Sequence, residues 1–302
     1  MSKEKTYISL SETYRRSWES CLALWPILIF RLVFVLLNLG AILLCFFLVC
    51  WPLVKTVWKA FRDSGNGNLP NFIQGMDFSS YIPDLRWILM AVGVGLIFIT
   101  WWSLLDAFFD GAVYARLRDH QENGRFFSFS EFFKDGMRYM GPMIGLQMVW
   151  FLILMGILLV GVLLALFAAV TMNVFSIPWW VWLLSGIPAG FIGLLLFIGM
   201  AAYGVLAGAY LMEGKGVLNA LKKSFHKCLQ GYGRAVWSFF LVWVIYFVFS
   251  IAFQAVMGIF GHIPLLGFIF IIFEFLVDLT LSIVIWVFMP ALAVTFSLEE
   301  EC

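Results

Sequence analysis

Long runs of apolar residues alternate with short charged segments along this chain. The longest run without Asp, Glu, Lys or Arg extends from Tyr139 to Met212. A helix of about 20 apolar residues crosses the hydrocarbon core of a bilayer, so this run is long enough to cross, turn and cross back. The pattern predicts six transmembrane helices, at about 26–50, 87–109, 141–170, 178–212, 233–260 and 264–296.

A short amphipathic segment precedes the first, third and fifth predicted spans. Ser9–Glu12 and Ser128–Glu131 each form a Ser-x-x-Glu pattern, which predicts a reciprocal cap at the start of a helix. The third segment, from Gly216, lacks the Glu, but its run Lys222–Phe225 aligns with Arg15–Trp18. The apolar stripes at helical spacing are Leu10, Tyr14, Trp18 and Cys21; Phe129, Phe132, Phe133, Met137 and Met140; and Leu218, Leu221, Phe225 and Cys228.

Such segments are expected to lie flat in the headgroup layer, because their polar faces carry basic residues. The sequence therefore predicts an all-α polytopic membrane protein built from three transmembrane hairpins, each preceded by an amphipathic interfacial helix. We expect a single membrane domain over 1–302 with an internal repeat. Its units cover about 9–109, 128–212 and 216–296.

The distribution of Lys and Arg predicts the orientation of the spans. Basic residues collect before the first span and in the links after the second and fourth spans. Such segments stay on the cytoplasmic side, so both termini are predicted to be cytoplasmic. One segment disagrees, because residues 51–86 fall outside in this arrangement. They carry Lys55, Lys59, Arg62 and Arg86.

Composition strengthens the membrane prediction and narrows the chemistry. Hydrophobic residues make up 63% of the chain and charged residues 12%, against about 25% charged in soluble domains. The histidines lack metal-ligand spacing, and the chain contains no Gly-rich phosphate loop, nucleophile elbow or HExxH motif. We therefore expect no enzymatic activity, no cofactor and no nucleic-acid partner.

Two stretches carry a resemblance to a known family. They are Met212–Phe225, which includes the Lys-Lys-Ser-Phe run, and Phe126–Phe133, which precedes the third span. Together they resemble the membrane domain attached to some bacterial glycerophosphodiester phosphodiesterases, and its uncharacterised stand-alone six-helix relatives. The resemblance implies a six-helix bundle with interfacial helices in a prokaryotic plasma (inner) membrane. It does not imply phosphodiesterase activity, because the catalytic domain of those enzymes is a separate soluble barrel.

Ionisable residues inside predicted spans are candidate functional sites, because placing them in a membrane is costly. Arg31 lies in span one, and Asp106 and Asp110 lie four residues apart near the cytoplasmic end of span two. Counting about 1.5 Å per residue puts Arg31 and Asp106 at similar depths, so we hypothesise that they pair. The alternative is that both are solvated at the interface.

Glu274 and Asp278 form a second candidate pair, on one face of span six. If the spanning part is about 264–284, Glu274 lies within the membrane and is a candidate proton or cation site. If it is about 275–296, Glu274 lies at the outer surface and its role is structural. The favoured interpretation is the structural one.

The predicted function is that of a non-enzymatic integral membrane protein that interacts with lipid or docks a partner through its interfacial helices. The residues expected to contact anionic lipid headgroups on the cytoplasmic side are Arg15, Arg16, Lys222, Lys223 and Lys227. A protein partner or a homo-oligomer is a further expectation, through the Gly-rich helix 178–212. The alternative function is an ion- or proton-coupled transporter or channel for small solutes that uses the intramembrane carboxylates.

Overall fold

The computed structural model describes residues 9–63, 85–175, 193, 199–214, 216–229, 233–260 and 266–299. Within these ranges all regular structure is helical, so the predicted all-α class is confirmed there. The helices are α1 (Leu10–Ala23), α2 (Pro26–Asp63), α3 (Leu85–Asn123), α4 (Phe129–Phe175), α5 (Gly199–Leu211), α6 (Val217–Leu229), α7 (Arg234–Phe260) and α8 (Leu266–Leu298).

Five of the described helices are long and apolar enough to cross a membrane. The spanning stretches are Pro26–Trp51, Leu89–Asn123, Phe129–Leu163, Arg234–Gly258 and Ile272–Leu298. Most of the predicted fourth span, 178–212, lies outside the described residues, and its described part is chiefly the shorter apolar helix α5. The chain is therefore a multi-pass α-helical membrane protein, while six spans remain a prediction.

Three helices are longer than the sequence pattern predicted. The first predicted span ended near residue 50, but α2 continues to Asp63, and α3 continues past residue 109 to Asn123. The second interfacial segment is not a separate helix, because α4 runs through it and through the third span without a break. Pro142 lies inside α4, and the helix tolerates it because membrane helices can re-satisfy the backbone groups that a proline frees.

The chain divides into two compact units. The first contains residues up to Ile29 and from Ala107 onward. In this unit α7 packs on α8, α1 packs on α8, and α6 contacts both α4 and α7. Its core is formed by the buried ends of three helices, α3, α5 and α8. Fully buried side chains there include Leu117, Leu206, Tyr210, Leu292, Val294 and Phe296.

Small residues and hydrogen bonds hold these three helix ends together. The Tyr114 hydroxyl of α3 donates to the Val205 carbonyl of α5 over 2.9 Å. The Tyr114 ring also lies so close to Gly208 that a Cβ at that position would stand only 2.6 Å from the ring. Close helix approach through glycine is typical of packing inside membranes, where hydrophobic burial drives association weakly.

The second unit covers Phe30–Asp106 and contains most of α2 and the first part of α3. Much of its described surface is apolar and exposed, including Leu43, Phe46 and Ile97. In a soluble domain such a surface would be a liability, whereas lipid-facing helices require it.

Candidate functional site

The first interfacial helix, α1, has one half of the predicted reciprocal cap, the half made by Ser9. The backbone N–H of Glu12 donates to the Ser9 hydroxyl over 3.3 Å. The Glu12 carboxylate accepts from Arg15, at 2.9 and 3.0 Å, and from Arg16, at 3.1 Å. The hydrogen bond from Arg15, followed by that from Arg16, lowers the pKa of this exposed carboxyl below its ordinary value.

The face by which α1 docks consists of small and polar residues, unlike the predicted apolar stripe. Thr13, Ser17 and Ser20 are buried, and the Ser17 hydroxyl lies 3.0 Å from the Thr295 hydroxyl of α8. Trp18, from the predicted stripe, is 47% exposed. The stripe is therefore divided, because Cys21 faces the protein while Trp18 faces outward.

Helix α6 docks in the same manner. Ala220 and Ser224 are buried, and the Ser224 hydroxyl donates to the Tyr203 carbonyl of α5 over 2.6 Å. Phe225 is 58% exposed, and Leu218 and Leu229 are exposed with it. Leu221, from the predicted stripe, is buried with the small residues, so most but not all of the large side chains of α6 are offered to lipid.

The first turns of α4 repeat the arrangement within a continuous helix. Phe132 and Gly136 are buried, and a Cβ on Gly136 would stand 2.5 Å from the Phe108 ring of α3. Met137, the residue after this glycine, is exposed together with Phe129 and Phe133. The segment therefore packs on α3 both through this glycine and through the Phe132 ring, which meets Phe109 edge-on.

The three segments agree at three positions when aligned as the sequence suggests. One position is small and buried in each: Ser17, Gly136 and Ser224. The following position is large, apolar and exposed: Trp18, Met137 and Phe225. Two positions before the buried residue stands an exposed cation: Arg15, Lys134 and Lys222. Sequence reasoning had not singled out Lys134, although the aligned capping patterns place it in register.

The five predicted headgroup-binding residues differ in what the structure presents. Arg15 and Arg16 are exposed but bonded to Glu12, and Lys223 pairs with Glu213. Lys222 is exposed, and no carboxylate of the described residues pairs with it. Lys227 is only 8% exposed, so the structure does not present it to headgroups, contrary to the prediction. It lies on the docking face with Ser224, since it follows that residue by three positions along the helix.

Arg116 forms a charged cluster that sequence reasoning missed. This buried residue of α3 pairs with Glu131 and Asp135 of α4, and lies 3.5 Å from Asp119. Glu131 had been interpreted as a capping residue, yet its carboxylate accepts from Arg116. The available signal was the spacing of Glu131 and Asp135, which places both acids on one face of a helix.

A second polar cluster ties α1, α3, α7 and α8 together. The Thr295 hydroxyl donates to the Gln121 amide oxygen over 3.2 Å, in addition to its contact with Ser17. The Thr13 hydroxyl donates to Glu299 over 2.8 Å, and Arg234 of α7 lies 3.5 Å from the same carboxylate. These groups satisfy one another in a region from which solvent is largely excluded.

Two thiols on docking faces are held protonated. Burial raises the pKa of Cys21 to about 12 and that of Cys228 to about 11. Neither thiol is a good nucleophile near neutral pH, because reactivity requires the thiolate.

The predicted pair in the second unit is present. Arg31 and Asp106 lie 3.4 Å apart, and the Arg31 side chain is 6% exposed. The guanidinium also lies 4.8 Å from the centre of the Phe34 ring. Arg31 is therefore stabilised within its own unit by a carboxylate and an aromatic face.

The other intramembrane acids lie apart from this pair. Asp110 is half-buried and lines a groove of about 300 Å³ between α3, α4 and α5, with Gln147 and Trp150. Glu274 and Asp278 are half-buried on α8, and one Asp278 oxygen is buried without a hydrogen-bond partner in the described structure. Neither of these two α8 acids lines the Asp110 groove.

Gly204 and Gly208, within the predicted oligomer helix, are covered by rings of the same chain. Trp150 lies over Gly204 and Tyr114 over Gly208. Residues 178–192 of that helix fall outside the described ranges. Among the described residues, no group of three His, Cys, Asp or Glu is placed to hold a metal ion.

The helices and their lipid-type surface define this chain as a multi-pass α-helical integral membrane protein. Comparison with known proteins found no matching family model, no matching curated protein and no matching solved structure.

Proposed function

We propose that this protein is a non-enzymatic membrane component that binds anionic lipid headgroups through three interfacial segments. The segments are α1, the first turns of α4, and α6. The observation that carries the proposal is their shared register: a buried small residue, an exposed large apolar residue after it, and an exposed cation two positions before it.

The exposed cations have a physical role in this arrangement. Each basic residue near an anionic surface contributes about 1 kcal/mol of attraction. Lys134 and Lys222 are the clearest cases, because both are exposed and neither pairs with a carboxylate among the described residues. The neighbouring Met137 and Phe225 would enter the acyl boundary and hold these cations at the level of the phosphates.

Orientation and family follow as parts of the same proposal. The three segments would mark the cytoplasmic side of a prokaryotic plasma membrane, with both termini on that side. The matching burial pattern supports an internal repeat and the suspected relation to the membrane domains of glycerophosphodiester phosphodiesterases. A scaffold that docks a protein partner would use the same surface.

The test removes two cations and measures retained lipid. Lys134→Gln combined with Lys222→Gln should lower the affinity for phosphatidylglycerol about thirtyfold, from about 1 kcal/mol per residue. The measurement is the number of phosphatidylglycerol molecules per chain after detergent extraction, by native mass spectrometry. Lys55→Gln is the matched control, because Lys55 is exposed and lies in α2, outside the three segments. Equal retention by the double variant and the control would overturn the proposal.

The alternative function, a transporter or channel, remains a prediction. Asp278 supports it best, because a buried carboxylate oxygen without a partner in the described structure is costly inside a membrane.

A further inference from the structure

Helix α2 continues past its spanning stretch and carries a stripe of alternating aromatic and basic residues. The spanning stretch ends at Trp51, whereas the helix goes on to Asp63. Spacings of four, three and four positions place four residues on one face of this helix: Trp51, Lys55, Trp58 and Arg62. All four side chains are exposed, that of Trp58 by 62%. We call these four residues the Trp58 stripe.

The charge of this stretch is almost wholly positive. Residues 52–63 contain three basic residues and a single acid, Asp63, at the end of the helix. Neither Lys55 nor Arg62 has an acid three or four positions away, where a helix brings side chains together. Helix α1 differs, because its two arginines are bonded to Glu12. The Trp58 stripe therefore carries a positive charge that no acid on the same face of α2 balances.

Positive charge is unexpected at this point of the chain. With both termini on the cytoplasmic side, the chain has crossed the membrane once by Trp51, so residues 52–63 lie on the outer side. Basic residues in a short outer link oppose that orientation during insertion. A role in binding an anion accounts for charge that insertion disfavours.

The height of the Trp58 stripe excludes lipid headgroups as the ligand of the whole surface. At 1.5 Å per residue, Trp58 lies about 10 Å and Arg62 about 16 Å beyond Trp51 along the helix. The headgroup layer is only about 5–8 Å deep on each side of the hydrocarbon core. Trp51 stacks on Phe47, with 4.9 Å between the ring centres, and is placed as an interfacial anchor. The outer half of the stripe therefore stands in the aqueous phase.

The alternation of rings and cations suits an extended chain in which charged and uncharged units alternate. Proteins that bind such chains line a surface with basic side chains and add aromatic faces on which the uncharged units pack. Lys55 and Arg62 flank Trp58 and stand about 10 Å apart along the helix axis, which matches one anion on each side of an uncharged unit. Both residue types are common partners of phosphate oxygens.

We propose that the Trp58 stripe binds a linear phosphodiester polymer at the outer face of the membrane. Its phosphates contact Lys55 and Arg62, and a sugar or polyol unit between them packs on Trp58. This inference goes beyond the proposed function, because it concerns a different surface, the other side of the membrane and a ligand that is not a lipid.

The test uses the full-length protein in nanodiscs of phosphatidylcholine, which has no net charge, and a fluorescent glycerol phosphate hexamer as the probe. Lys55→Gln combined with Arg62→Gln should weaken hexamer binding about thirtyfold, from about fivefold for each cation, measured by fluorescence anisotropy. Trp58→Leu should weaken it about fivefold, because the aromatic face is lost. The substituted side chains are exposed, so the variants should fold.

The matched control removes two exposed cations elsewhere. Lys134→Gln combined with Lys222→Gln should leave the hexamer affinity unchanged. Equal losses in the two double variants would overturn the inference, because net charge alone would then explain the binding. Full hexamer affinity in the Lys55 and Arg62 variant would overturn it as well.

Two further measurements decide the class of ligand. A hexa-aspartate peptide should bind about tenfold more weakly than the hexamer, because it has no uncharged unit to pack on Trp58. Equal binding would identify an acidic protein segment as the partner and overturn the inference. Phosphatidylglycerol retention by the Lys55 and Arg62 variant should match that of the native chain, and a loss would identify lipid as the ligand instead. Failure of the proposed function is distinguishable, because it concerns phosphatidylglycerol retention by the Lys134 and Lys222 variant.

Discussion

At the scale of single residues, Arg31 shows that an ion pair can be predicted from the depth of its two residues along their spans. Counting residues from the ends of two predicted spans was enough to pair it with Asp106, and the structure places them 3.4 Å apart. The same counting missed Arg116, because its partners come from α4, whose first turns were predicted to be a separate helix. The depth of a residue in the membrane follows from its position along its own span. Its contacts with an adjoining segment also depend on where each helix begins and ends.

Arg31→Met should destabilise the protein by about 3 kcal/mol, because it leaves the Asp106 carboxylate buried without its cation. Thermal unfolding in detergent would measure the loss. The double variant Arg31→Met with Asp106→Leu removes both charges and should recover most of the stability. A single variant as stable as the native chain would show that the pair contributes nothing.

At the scale of elements, the interfacial helices expose a limit of hydrophobic periodicity. The periodic stripe identified α1 and α6 as amphipathic, and both exist as separate helices. It did not identify the face by which they dock. In a bilayer, lipid solvates large apolar side chains, so these gain little from being buried in the protein. Small residues such as Ser17, Gly136 and Ser224 allow the helices to approach closely.

Ser17→Leu and Ser224→Leu should each cost about 1–3 kcal/mol, because a larger side chain overfills a packed contact. Each also removes a hydroxyl that bonds a neighbouring helix, Thr295 for Ser17 and Tyr203 for Ser224. Trp18→Leu and Phe225→Leu are the matched comparisons at the next position, where the side chain is about half exposed and has one edge contact, with Phe288 or Tyr203, so each should cost less. Equal effects at both positions would mean that the docking face has been assigned wrongly.

At the scale of the whole molecule, the membrane character was predictable and the exact element lengths were not. The last two predicted spans, 233–260 and 264–296, agree closely with α7 and α8. The ends of α2, α3 and α4 were misplaced, because charge marks where a chain leaves the hydrocarbon but does not end a helix. In α3 the residues after Asp110 include core positions such as Ala112 and Leu117, so packing within the first unit continues the helix past the charged residue.

The orientation of the chain can be read from one cysteine. Lys222→Cys, placed on the exposed face of α6, should be protected from a membrane-impermeant maleimide in intact cells and labelled after lysis. Cys21, which is buried, and Cys228, which is half-buried, should contribute little background at neutral pH, because burial raises the pKa of each. The native chain, labelled in parallel, measures the background from Cys45, Cys50 and Cys302. Labelling of intact cells at this position would reverse the orientation.

The contacts of α1 carry a consequence for biogenesis. The ribosome makes this helix well before α8, because Thr295 and Glu299, which accommodate its buried face, are translated more than two hundred and seventy residues later. Until α8 has entered the bilayer, the nascent helix has only lipid for its tryptophan side and water for its serines. Closure of the assembled protein is therefore a late event, and truncation within α8 should leave the first helix undocked.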